Sequence, residues 1–116
     1  MNNNLLIEDY PLVVFPSLAK EIGLNEAIIL QRIHSLMNER ENVIDGVSWV
    51  CNTYDDWVNQ FPFWSEATIR RTIKSLEKKN LLITGKFNES KFDHTKWYTI
   101  NYEELKRVIG PLAQNK

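Results

Sequence analysis

Pro62 stands between two helical patterns, and no single helix can run through both. It donates no backbone hydrogen bond and holds the residue before it out of the helical region. On its N-terminal side Thr53 is an N-cap candidate, and Asp55 and Asp56 suit the positive end of a helix. Trp57, Val58 and Phe61 supply the apolar side of that helix. On the C-terminal side Ser65 begins a second helix and Glu66 lies in its first turn. Ile69, Thr72, Ile73 and Leu76 then recur at helical spacing. This helix is predicted to reach about Lys79, with Asn80 in the left-handed conformation that ends it. After Asn80 the period becomes two. Residues 81–87 and 96–101 read as strands, joined by the polar stretch 88–95. The second half of the chain is therefore constrained to helix, turn, helix, hairpin.

The flanking segments extend that plan. Residues 12–15 form an apolar run between Pro11 and Pro16, read as a lead-in or short edge strand. Pro16 suits the first position of a two-turn helix that ends at Gly23. Asn25 is expected to cap a second helix over about 26–40, with Ile29, Ile33, Leu36 and Arg40 on one stripe and Leu30 and Met37 beside it. Ile28 falls off that stripe. Asp45-Gly46 marks a turn, and 47–51 has strand composition. A final short helix is predicted over 102–109, stopped by Gly110-Pro111. The expectation is a mainly α chain with a small β-sheet, class α+β. Residues 1–109 form one domain, and 110–116 are a tail or the start of a linker.

A formal net charge of −1 hides a strong asymmetry. Residues 1–64 carry nine acidic and three basic side chains. Residues 65–96 carry four acidic and eight basic ones. On a helical wheel that turns Ile69, Thr72, Ile73 and Leu76 inward, the outward face holds Ala67, Arg71, Lys74, Ser75 and Lys78, with Arg70 at its edge. Glu66 and Glu77 fall nearer the flank. A solvated helix face more often interleaves both signs. A face of one sign beside a basic hairpin points to a polyanion, and to a helix-turn-helix whose second helix enters the major groove.

Four stretches carry a resemblance to a known family. They are Pro16-Ser17-Leu18-Ala19 through Gly23-Leu24-Asn25-Glu26-Ala27-Ile28-Ile29-Leu30-Gln31, Trp49-Val50, Phe63-Trp64-Ser65-Glu66-Ala67-Thr68-Ile69-Arg70-Arg71, and Lys96-Trp97-Tyr98-Thr99-Ile100-Asn101-Tyr102. Over roughly residues 11–105 the chain resembles the winged-helix domain of replication-initiation proteins from phages, plasmids and mobile elements of Gram-positive bacteria, including DnaD-like replisome organisers. The resemblance implies a winged helix-turn-helix with a three-stranded antiparallel sheet and a β-hairpin wing. It also implies DNA binding, self-association in some members, and contacts with replication proteins such as a helicase loader through a separate region that follows the domain. The expected DNA-binding residues are Ser65, Ala67, Arg70, Arg71, Lys74, Lys78, Lys86, Lys91 and Lys96. Arg71 and Lys74 lead in the groove. Lys78, Lys86, Lys91 and Lys96 meet phosphates, and the first-turn amides behind Ser65 lie close to one.

Other residues and functions were weighed against this reading. Trp49, Trp57, Phe61 and Tyr98 are expected in the core, whereas Trp64 or Trp97 is the candidate platform for single-stranded DNA. His34 is read as solvated, and His94 as a wing residue that meets a phosphate only when protonated. Cys51 is read as a packing residue. No nucleophile–base arrangement, glycine-rich phosphate loop or metal-ligand spacing appears, so neither an enzyme nor a cofactor or metal is expected. No apolar run reaches the length of a membrane span, and a lone cysteine without an export signal points to the cytoplasm. Two rivals stay open. One is a transcriptional regulator of a mobile element. The other is a protein-interaction module whose acidic half engages a basic partner. Leu5, Leu6, Ile7, Leu12, Val13, Val14 and Phe15 are too many apolar side chains for a small core to cover, so a homodimer or a strand folded back over the first helices is expected.

Overall fold

Gly23 sets how the first two helices meet. In the computed structural model, which describes residues 12–39, 42–87 and 95–113, α1 spans Pro16–Ile22 and α2 spans Leu24–Glu39. Gly23 has φ of 109°, a left-handed value open to glycine. Its N–H donates to the Ala19 carbonyl at 2.8 Å, and its own carbonyl accepts from the Ala27 N–H at 2.9 Å. One residue therefore closes α1 and opens α2. A Cβ at Gly23 would lie 2.3 Å from Glu26 Oε1. Asn25, expected as the cap, lies inside the first turn of α2 instead, because glycine reaches a conformation that lets the helices abut.

The expected apolar stripe of α2 is buried at Ile29, Leu30, Ile33 and Leu36. Arg40 lies outside the described residues. Ile28 is half-buried beside Leu12 and Val13. Residues 12–15 form no strand, and Leu12, Val13 and Phe15 are exposed.

The single strand expected over 47–51 is two strands. Asp45 and Gly46 both have positive φ, 53° and 80°, as a tight two-residue hairpin turn requires. They join β1 (Val43–Ile44) to β2 (Val47–Ser48). Trp49 breaks the run, donating its N–H to the Asn42 carbonyl at 2.8 Å. After it, β3 (Val50–Asn52) joins a different sheet. Strand composition marks both pieces alike. The change of partner is a tertiary choice.

Helix α3 (Tyr54–Gln60) starts with a full capping box. Thr53 Oγ1 accepts from the Asp56 N–H at 3.0 Å, and Asp56 Oδ2 accepts from the Thr53 N–H at 2.8 Å. Helix α4 (Glu66–Lys78) begins at Ser65, whose Oγ accepts from the Thr68 N–H at 3.1 Å. It ends as expected at Asn80, with φ of 61°. The Leu81 N–H donates to the Leu76 carbonyl and the Asn80 N–H to the Glu77 carbonyl. Leu76 and Leu81 are both fully buried, so an apolar contact accompanies this paired closure.

That turn feeds β4 (Leu82–Gly85), and β5 (Lys96–Ile100) returns beside it. The antiparallel sheet has the order β3-β5-β4, with Val50 opposite Tyr98 and Leu82 opposite Ile100. The last strand in sequence is thus central. Val50, Leu82, Tyr98 and Ile100 point from the sheet into the core, where they meet α2, α3 and α4 through Leu30, Trp57, Phe61, Ile69, Ile73 and others. Helix α5 (Tyr102–Ala113) follows, with Asn101 Oδ1 accepting from the Glu104 N–H. It continues past the expected stop at Gly110-Pro111. A proline so placed forgoes one hydrogen bond and crowds the carbonyl four residues before it, which can kink a helix without ending it. The described residues make an α+β fold with five helices and two small antiparallel sheets.

Candidate nucleic-acid interface

Core packing fixes the rotation of α4. Ile69, Thr72, Ile73 and Leu76 are buried, so the opposite side of the helix faces solvent. Ala67, Arg70, Arg71, Lys74 and Lys78 are exposed, and Ser75 is half-buried. Arg71, Lys74, Ser75, Glu77 and Lys78 line a shallow depression on this side. Ser65 and Ala67 are exposed at its N-terminal end.

Glu77 borders the depression, and both acidic residues of α4 are held by partners. Glu77 Oε2 accepts from the Thr84 hydroxyl of β4 at 2.7 Å, which turns the carboxylate toward the sheet. Glu66 Oε2 lies 2.6 Å from Arg70 Nη2 and 2.8 Å from Arg70 Nε. The hydrogen bond to Glu66 raises the Arg70 pKa above its ordinary value. Among the described residues, Arg71, Lys74 and Lys78 have no ion pair. Arg71 Nη2 reaches the Thr68 hydroxyl only at 3.4 Å, a weak contact. Lys79, outside the expected set, donates to Ser75 Oγ at 2.8 Å.

Tyr54 gathers two of the expected residues to itself. The Arg70 guanidinium carbon lies 4.0 Å from the centre of its ring. Lys96 Nζ lies 3.2 Å from its hydroxyl and 5.2 Å from its ring centre. Tyr54, the first residue of α3, thereby ties α4 to β5 at one flank of the basic face. Arg70 and Lys96 are held in this cluster, apart from the free cations on the helix. Lys86 is exposed just after β4, and Lys91 lies outside the described residues. Sequence reasoning missed Tyr54. The one local signal was its place beside the Thr53 cap.

The aromatic side chains divide more finely than expected. Trp57, Phe61 and Tyr98 are fully buried, and Trp49 nearly so. Trp64 is half-buried between Phe61 and Phe63, with ring centres at 5.1 and 4.9 Å. Phe63, in the turn before Ser65, is the exposed ring of that group at 58%. Trp97 is half-buried against Phe87. His34, expected in solvent, lies with Nδ1 2.8 Å from the Tyr102 hydroxyl, because α5 folds back on α2. His94 lies outside the described residues.

Among the described residues, the buried Tyr98 hydroxyl makes no hydrogen bond of ordinary geometry. Burial pushes its phenol well above the ordinary tyrosine range. Among the described residues, no three of His, Cys, Asp and Glu stand close enough to hold a metal ion. No helix among them is long and apolar enough to cross a membrane. No family model matches the chain, and neither the curated proteins nor the solved structures give a match.

Proposed function

We propose that the chain is a winged helix-turn-helix domain that binds double-stranded DNA through the outward face of α4. One observation carries the reading: Arg71, Lys74 and Lys78 share an exposed face and, among the described residues, have no ion pair, while Glu66 is engaged by Arg70 and Glu77 by Thr84. A polyanion supplies the missing partner. The order α3, turn, α4, β4, loop, β5 supports the winged-helix identity, because it sets a basic hairpin beside the exposed helix. A helix of 13 residues is about 20 Å long and fits the major groove lengthwise. Lys78 and Lys86 then meet phosphates, while Arg71 and Lys74 lie over base edges. Single-stranded DNA is the lesser partner, since Trp64 and Trp97 are both half-buried.

A role in replication initiation for a phage or mobile element rests on the family resemblance alone, and a cytoplasmic location on the lone cysteine, Cys51. The exposed Leu12, Val13 and Phe15 support the accompanying homodimer. A two-fold pair would present two copies of α4 to paired half-sites. The test is duplex binding by an Arg71→Ala, Lys74→Ala variant at moderate salt. Affinity for all duplexes should fall, and base preference should relax. A variant that binds as tightly as the parent would remove α4 from the interface.

A further inference from the structure

A groove of about 360 Å³ lies among the lead-in segment, α1, α2 and α5, away from the outward face of α4. Leu30 and Ile100, both almost fully buried, form its floor. Phe15, Leu18, Leu105 and Ile109 supply its apolar walls. No Asp, Glu, Lys or Arg lines it, in a chain where a quarter of the residues are of these types. The polar groups are few and lie close together. His34 Nδ1 and the Tyr102 hydroxyl are 2.8 Å apart, with Gln31 and Ser17 nearby in the lining.

Size, apolar walls and a few convergent polar groups are the common features of small-molecule sites, whose volumes run from about 300 to 1,000 Å³. We propose that this groove binds an uncharged, largely apolar small molecule with one carbonyl or hydroxyl group that hydrogen-bonds the Tyr102 hydroxyl; with His34 Nδ1–H donating to the Tyr102 oxygen, the Tyr102 proton turns from its long 3.9 Å contact with Met37 Sδ to the ligand. An ionic ligand is disfavoured, because no Asp, Glu, Lys or Arg lines the groove to offset the charge of a group leaving water. A peptide is disfavoured for a related reason. Each main-chain N–H and C=O entering the groove would need a partner, and only four lining residues have polar side chains. A compact molecule with one polar end matches what the walls provide. The site also touches the central strand, since Ile100 ends β5 and Lys96 begins it. The inference is independent of the DNA reading.

The test is a fluorescence titration of the intact chain with prodan, an uncharged naphthalene ketone whose emission moves to the blue as its carbonyl leaves water. Saturable one-site binding with a blue shift is expected. Tyr102→Phe should weaken it by about threefold to tenfold through loss of one hydrogen bond. Leu105→Trp should fill the groove and weaken binding at least tenfold without removing the thermal unfolding transition. Non-saturating emission would overturn the proposal, as would equal affinity in a folded Leu105→Trp chain. Two further results would assign the groove to another occupant and also overturn it. One is affinity that rises more than tenfold in Leu5→Asp, Ile7→Asp, which would mean that the chain's own first residues fill the groove. The other is affinity that falls as protein concentration rises, which would mean that a second copy does.

Discussion

Ser65 links the stability of α4 to its proposed contact with DNA, and two substitutions separate these roles. Its Oγ accepts the Thr68 N–H at 3.1 Å and also lies 3.1 Å from the Thr68 hydroxyl. Ser65→Ala removes the acceptor and leaves a first-turn amide to water. Loss of such a cap costs about 1 kcal/mol. With an unfolding entropy of about 2.1 cal/mol/K per residue, a chain of 116 residues has about 240 cal/mol/K, so the melting temperature should fall by about 4 °C. Ser65→Asp keeps an acceptor at the cap and should melt close to the parent. It also sets a negative charge where a phosphate would approach the first-turn amides. Duplex affinity should therefore fall in both variants, and further in the aspartate. Thermal unfolding followed by circular dichroism gives the first quantity, and fluorescence anisotropy with a labelled duplex gives the second. An unchanged melting temperature in Ser65→Ala would refute the cap. Parental affinity in Ser65→Asp would refute a phosphate at this turn.

Gly85→Ala should destabilise the chain by about 1–3 kcal/mol, as overpacking does, because the new Cβ would meet the Phe87 ring at 3.0 Å and the Trp49 ring at 3.3 Å; chemical denaturation measures it, and parental stability would contradict the packing. Tyr98→Phe should be neutral or stabilising, since it removes a buried hydroxyl that makes no hydrogen bond of ordinary geometry among the described residues. The same phenol sets an alkaline limit. Its folded pKa is raised above the model-compound value of 10.0, so its contribution is complete below pH 10 and is lost as the pH rises above that, where the unfolded chain ionises first. Unfolding measured between pH 9 and about 11 should show a shallower loss in Tyr98→Phe than in the parent. Leu12→Asp, Val13→Asp alters two exposed side chains and should leave a monomer where the parent sediments as a dimer, whereas identical sedimentation would remove this segment from the interface.

What the sequence made legible was local chemistry. Thr53, Ser65 and Asn80 act through bonds to residues within four positions, so their side chains alone announce the helix ends. Asp45-Gly46 declares a turn in the same way, through the φ values its residues tolerate. The rotation of α4 was equally readable, because the spacing of its apolar residues fixes its exposed face. Partners distant in sequence were not legible. Trp49 divides a run of strand composition because β3 pairs with β5, more than forty residues onward. Tyr54 meets Arg70 and Lys96 only after α3, α4 and β5 are assembled. His34, half-buried, gains a partner only because Tyr102 of α5 returns to it. Gly23 and Gly110-Pro111 show a related limit: both carry the punctuation of a helix end, yet α2 resumes at the residue after Gly23 and α5 runs on through Gly110-Pro111.

The most direct test of the proposed function is the salt dependence of duplex binding. Each phosphate that a cation neutralises contributes about −0.9 to the slope of log affinity against log salt. Arg71, Lys74 and Lys78 are the exposed cations of α4 without an ion pair among the described residues. Replacing all three by alanine should make the slope shallower by at least about 0.9, the share of Lys78 on its phosphate, and lower the affinity most at low salt. A parent chain whose binding ignores salt would contradict the account, and so would a triple variant that keeps the parental slope.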